Sequence, residues 1–218
     1  MKALKNLFFL LTIVLIYSCG SKPETKVPLL NTPTSGIQVD GIFDEAMWDE
    51  AIVHHISDSV DLLVFQNEEN VFIGIKSLSD YQRTSTDLYL QNENFEPINM
   101  HASMQLGERH YVQNSWKTDV NPYSWGNNKG WTANIFQWNE AVRESRSLHI
   151  IEKLLYSQGQ EYVISKEKIS GDYLNIDIKI IVIALDNQAL PIAYPEGSTE
   201  NDTTTWLRLE LAQAVVKE

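Results

Sequence analysis

Four of the chain's six tryptophans fall within one stretch of 28 residues, Tyr111 to Trp138, together with Tyr111, Tyr123 and Phe136. Trp116, Tyr123 and Trp125 stand among Asn114, Asp119, Asn121, Gly126, Asn127, Asn128 and Gly130, residues of loops more than of strands. Tryptophans on a loop either pack back onto the domain or wait for a ligand. Flat rings beside amides and carboxylates have the chemistry to hold a sugar: rings cover its apolar C–H face and polar groups satisfy its hydroxyls. Trp116, Tyr123 and Trp125 are therefore the candidate platform, with Asp119, Asn127 and Asn128 as hydroxyl partners by proximity. Trp131 and Trp138 stand near strand ends and are expected in the core.

Other chemistries find less support. Haem needs axial ligands, and Met100, His101, Met104 and His110 lie on or just after one predicted strand. On a strand Met100 and Met104 share a face while His101 points away, which disfavours joint ligation. A His-x-Glu-x-x-His metal motif, a Gly-x-Ser-x-Gly elbow and a Walker loop are all missing from the sequence. Twenty-nine acidic residues leave paired carboxylates for glycoside cleavage open. A small domain without a cleft signature is nevertheless expected to bind, with no catalytic residue.

The one cysteine, Cys19, follows Lys2, Lys5 and an apolar run from Leu7 to Ile16 broken only by Thr12. About ten residues make a signal-peptide core, half of what a membrane-spanning helix needs. Ile16-Tyr17-Ser18-Cys19-Gly20 resembles a bacterial lipobox, with Tyr17 bulkier than usual. A lone cysteine in an exported protein has no disulfide partner, and a thioether to diacylglycerol explains both its position and its solitude. The expectation is a signal peptide over 1–18, a lipidated Cys19 with a tether to residue 35, and a location at the cell envelope on the outer membrane. Pro23, Pro28 and Pro33 and the absence of periodicity suggest that tether.

Without Lys2 and Lys5 the 17 basic residues fall to 15 against 29 acidic ones, a net charge of −14. Such a surface repels phosphate backbones and argues against nucleic acid. Neutral glycans or cations suit it better.

The remaining residues, 36–218, read as one domain made mainly of strands. Val60 to Phe65 and Val71 to Ile75 flank a polar turn, Asn67-Glu68-Glu69-Asn70, as a hairpin. Asp87 to Gln91, Ile98 to Leu106, Thr132 to Trp138, Glu161 to Ser165, Ile176 to Ala184 and Thr205 to Leu211 are further strands. Asp44 to Ala51 predicts one short helix capped by Asp44. Glu140 to Tyr156 is ambiguous. Many short strands and no βαβ rhythm predict an all-β, antiparallel sandwich.

Ile37-Gln38-Val39-Asp40-Gly41-Ile42-Phe43-Asp44-Glu45-Ala46-Met47-Trp48-Asp49-Glu50-Ala51 resembles the opening of family 9 carbohydrate-binding modules and their relatives. In that pattern Asp40-Gly41 makes a tight turn and Trp48 drops into the core. Glu161 to Ile169 resembles the family's Glu-aromatic-x-Ile-Pro strand, with Ser165 where proline is common. Pro195 and Trp206-Leu207-Arg208-Leu209 resemble its late loop and last strand. The resemblance covers Ile37 to Leu211 and implies a β-sandwich, with Trp48 and Trp206 in core positions. It also implies that a structural calcium is possible, for which Asp40, Asp44, Asp80, Asp87, Asn92 and Asp202 offer oxygens without regular spacing. No local motif matches the surroundings of the family's sugar-binding tryptophans. The expected function is a lipid-anchored module that captures glycans at the envelope in support of carbohydrate use. Its rival is an envelope lipoprotein whose sandwich binds a protein partner.

Overall fold

Along the strand Val60–Gln66, Val60, Leu62 and Val64 face one way and Leu63 and Phe65 the other, and all five are buried. A strand apolar on both sides must lie between two covers. The computed structural model describes residues 25–77, 83–103, 105–117, 128–134, 158–183 and 189–212, and within them two sheets pack face to face.

In chain order the strands are β1 Thr25–Lys26, β2 Ile52–Ser57, β3 Val60–Gln66, β4 Asn70–Ser77, β5 Arg83–Asn92, β6 Phe95–Ala102 and β7 Leu106–Val112. Then come β8 Ser115–Lys117, β9 Trp131–Ala133, β10 Gly159–Ser165, β11 Tyr173–Ile183, β12 Ala189–Tyr194 and β13 Leu207–Glu210. The larger sheet runs β1-β13-β11-β5-β6-β7-β8, with β12 also on β11, and the smaller runs β2-β3-β4-β10-β9. Pairing is antiparallel except between β1 and β13. The expected antiparallel β-sandwich is the architecture observed.

Branched aliphatic side chains fill the gap between the sheets. Leu62, Val64, Val71, Ile73 and Ile164 from the smaller sheet meet Leu88, Leu90, Met100, Ile176 and Ile178 from the larger. Burying each contributes roughly 1.5–3 kcal/mol. Tyr162 joins them, its hydroxyl donating to the Thr86 carbonyl of the opposite sheet at 3.3 Å.

Two sequence expectations are corrected here. Residues 25–35, read as tether, are part of the sandwich. Val27 is buried, its amide donating to the Glu210 carbonyl at 3.0 Å. Its carbonyl takes Gln66 Nε2 at 2.9 Å, and Leu30 N donates to the Gln66 carbonyl at 2.8 Å. The segment straps the β13 edge of one sheet to the β3–β4 turn of the other, so prolines here fix an extended path. The strand expected over Ile98 to Leu106 is instead two strands, because Ser103 N donates to the Gln105 carbonyl at 3.0 Å and the chain reverses.

The short helix is a 3-10 turn over Ala46–Glu50, and Asp44 does not cap it. Glu45 holds the N-cap position, without a side-chain cap. Trp48 is buried, yet not between the sheets. It packs with Phe43, Leu63, Phe65 and Phe72 on the outer face of the smaller sheet. Gly74 makes room there: a Cβ at that position would collide with Phe43 and lie 2.9 Å from Trp48 Cζ3.

Candidate functional site

The outer face of the larger sheet is polar and aromatic where its inner face is aliphatic. Register places Asp177, Tyr89, Asn99 and Arg109 in one row across β11, β5, β6 and β7. Lys179, Asp87 and His101 form the next. Tyr111 lies two residues beyond Arg109 on the same face, and Trp116 of β8 pairs opposite it.

The loop after β12 covers the half of this face over β11. Lys179 Nζ reaches Asp177 Oδ1 at 3.1 Å and the Ser198 carbonyl at 2.8 Å. Tyr89 donates its hydroxyl to Glu200 Oε2 at 2.9 Å. Trp206, fully buried, lies with its ring 6.2 Å from that of Tyr89 and donates Nε1 to the Thr199 carbonyl at 2.8 Å. It is buried as expected, but on this outer face rather than between the sheets. Alternation decides it, since Trp206 immediately precedes β13, whose Leu209 fills the inter-sheet core.

Over β6 to β8 the face is only half covered. Trp116 sits between Tyr89 and Tyr111, ring centroids 5.3 and 5.2 Å away at interplanar angles of 65° and 55°, so neither stacks flat upon it. The Arg109 guanidinium carbon lies 5.7 Å from its ring centre. Arg109 Nε donates to Asn99 Oδ1 at 3.0 Å, and Asn99 Nδ2 donates to Asp87 Oδ1 at 3.1 Å. His101 Nδ1 lies 3.0 Å from the same oxygen. Burial pushes the Asp87 carboxyl up, but His101, Asn99 and Arg109 outweigh it and hold the group below the usual carboxylate range. Burial first, then the Asp87 and Glu200 carboxylates, hold the Tyr89 phenol far above its usual range. The result is a fixed array: an indole with a polar rim of charged and hydrogen-bonding groups.

The fold has counterparts among solved structures. It is similar to a family 9 carbohydrate-binding module from Caldicellulosiruptor kristjanssonii solved with cellotriose, at TM-score 0.49 and 11% identity over 88% of this chain and 94% of that one. It is also similar to a proposed carbohydrate-binding protein from Bacteroides uniformis, at TM-score 0.46 and 7% identity over 88% of this chain and 100% of that one. No protein-family model and no curated protein matches the sequence. The case for a ligand therefore rests on the residues themselves.

Of the six candidates read from the sequence, Trp116 lies on this face. Asn128 is elsewhere: its Nδ2 donates to the Trp131 carbonyl at 3.3 Å and closes the turn into β9. Its amide is thus occupied by its own backbone. Tyr123, Trp125, Asp119 and Asn127 lie outside the described residues, as do Cys19, Phe136 and Trp138. The sequence reading missed Tyr89, Asn99 and Arg109. Strand alternation around Leu88 and Leu90 could have found Tyr89.

Among the described residues the haem and calcium sets do not assemble. Met100 is in the inter-sheet core, His101 is on the outer face, and His110 Nε2 lies 2.8 Å from Glu108 Oε1; Met104 and Asp80 lie outside the described residues. Asp202 caps the turn Thr203–Thr205, and Asn92 Nδ2 bonds the Ser170 carbonyl at 2.9 Å. Among the described residues no group of three acidic, histidine or cysteine side chains is placed to hold a metal.

Two buried glutamates hold the framework. Glu108 faces inward at the β7 edge and accepts from Trp131 Nε1 at 2.8 Å, with Lys168 Nζ 2.9 Å from the same oxygen. It floors a cavity of about 410 Å³ that His110, Lys129 and Ser165 also line. Burial pushes its carboxyl up, and His110 and Lys168 more than reverse this. Glu161 has no such cation. Its Oε2 accepts from Asp40 N at 2.9 Å and Gly41 N at 2.7 Å, under a turn whose Gly41 has φ of 82°. Burial pushes this carboxyl up to about 7; Glu45 and Asp40 push the same way, against the two amide bonds.

Proposed function

We propose that the protein is a carbohydrate-binding module held at the cell envelope by lipid on Cys19, and that the ligand lies on the outer face of the larger sheet over β6 to β8. The observation that carries this reading is Trp116, half-buried, edge-on to Tyr89 and tilted on Tyr111, with Arg109 beside its ring and Asp87 and His101 linked to that arginine across the same face. An indole so placed offers an apolar plane to a sugar ring. The guanidinium beside it, and the carboxylate and imidazole further along the same face, have the donors and acceptors that select a hydroxyl pattern. The binding is non-covalent and needs no group beyond the side chains named.

The anchor belongs to the proposal too, supported by the lipobox-like sequence and by the lone cysteine. The test uses the full chain made in a bacterial host and solubilised in detergent. It should retain at least one class of neutral glycan on an array, and should enter the detergent phase on Triton X-114 partition. The Cys19→Ser form should stay in the aqueous phase. Retention of no glycan by a protein with a native near-ultraviolet signal would overturn the ligand, and equal partitioning of the two forms the anchor.

A further inference from the structure

On the outer face of the smaller sheet two carboxylate oxygens are buried without a hydrogen-bond partner, Glu161 Oε1 and Glu45 Oε2. Their companion oxygens grip one short stretch of backbone. Glu45 Oε1 accepts from Gln38 N at 2.7 Å, and Glu161 Oε2 takes the amides of Asp40 and Gly41. Register sets Glu161 opposite Gly74, directly beneath the segment that carries Phe43 and Trp48.

The charged groups facing Glu161 from that segment are acids, Glu45 and Asp40. On β4, Lys76 has its ammonium over the Phe43 ring, 5.6 Å from the centre. Asn134 and Gln158 approach from the other side and are neutral, accepting from Glu161 N at 2.6 Å and Phe43 N at 3.2 Å. An ionised carboxylate oxygen buried without a donor is costly, more so beside a second carboxylate. Either a cation or a proton relieves it. No three metal-type side chains converge among the described residues, which favours the proton.

We infer that Glu161 carries a proton in the closed structure and acts as a latch, whose opening on ionisation frees residues 37–51 from the aromatic face beneath. The proton leaves to water, and Glu161 then turns its charge toward solvent and drops the Asp40 and Gly41 amides. What is uncovered is the patch of Leu63, Phe65 and Phe72, now shielded by Phe43 and Trp48. The latch lies on the opposite sheet from the proposed sugar site, so the two stand or fall separately.

Hydrogen exchange of the full chain in detergent, followed by mass spectrometry and corrected for intrinsic rates, tests this. Peptides spanning 37–51 should lose at least tenfold in protection between pH 5.5 and 8.5, while peptides from β11 change little. Glu161→Gln, neutral and of the same shape, should abolish that dependence. Should this variant not fold, Glu45→Gln serves instead and should move the transition to lower pH. A flat wild-type profile, unchanged dependence in Glu161→Gln, or no movement in Glu45→Gln overturns the latch. Protection restored at pH 8.5 by millimolar calcium also overturns it, in favour of a cation site.

Discussion

Replacing Trp116 by alanine separates a ligand platform from ordinary packing, because the two roles predict opposite pairs of numbers. The ring is half-buried, edge-on to Tyr89 at 5.3 Å and tilted on Tyr111 at 5.2 Å. Each of the two aromatic contacts is worth about 0.5–1.5 kcal/mol, so folding stability should fall by roughly 1–3 kcal/mol. A domain of this size should then lose about 2–12 °C in Tm. A sugar covering some 80 Å² of the indole would lose about 2 kcal/mol of binding at 25 cal/mol per Å², or roughly thirtyfold in Kd. Calorimetric titration with the glycan that binds best, beside urea unfolding of both proteins, gives both quantities. Trp116→Phe keeps a ring and should fall between the two on each axis. A stability loss above about 3 kcal/mol, with affinity changed less than twofold, refutes the reasoning and makes Trp116 a packing residue.

Gly74→Ala should destabilise by about 1–3 kcal/mol in urea unfolding, since the new methyl meets Phe43 and Trp48. Adding Phe43→Leu should recover part of that loss. Glu108→Ala removes the acceptor of Trp131 Nε1 and the partner of Lys168, at a carboxylate 3% exposed. A loss of about 3–5 kcal/mol in chemical denaturation is expected. Because the folded carboxyl of Glu108 lies below its free value, its contribution is present above the unfolded pKa and lost as pH falls through the folded one. Melts below pH 5 should therefore fall less steeply in the variant than in the wild type.

Alternating aliphatic residues announced the sandwich, because strand period and inter-sheet packing act locally on the same residues. The hairpin of β3 and β4 and the long strand β11 are legible for that reason. The reversal at Ser103 is not, for polar and apolar residues alternate without a break from Ile98 to Leu106 and no glycine or proline marks the turn, which Ser103 closes through its amide and its hydroxyl. The strap was hidden for a different reason: its bonds go to Gln66 and Glu210, distant in sequence. In the candidate site, the composition of 111–138 pointed to Trp116. Tyr89 and Arg109 come from strands whose partners are set by sheet order, which local pattern does not contain.

The proposed ligand position rests on the placement of the outward-facing aromatics. Between the sheets the space is filled mainly by branched aliphatics, with Tyr162 and Trp131 among them, while Trp48, Phe65 and Phe72 on one side and Tyr89, Trp116 and Trp206 on the other turn outward. Outward aromatics in water are unfavourable, so each group needs a cover. On the smaller sheet the cover comes from the chain itself, the 37–51 segment that Glu45 and Glu161 hold down. On the larger sheet the loop after β12 covers Trp206 and Tyr89 and leaves Trp116 half exposed. The family-like opening motif thus builds a lid on the face opposite the site, which explains why its residues could indicate a fold without indicating a ligand. The uncovered half of the other face, where an indole meets a rim of fixed polar groups, is where a sugar would complete what the chain leaves unfinished.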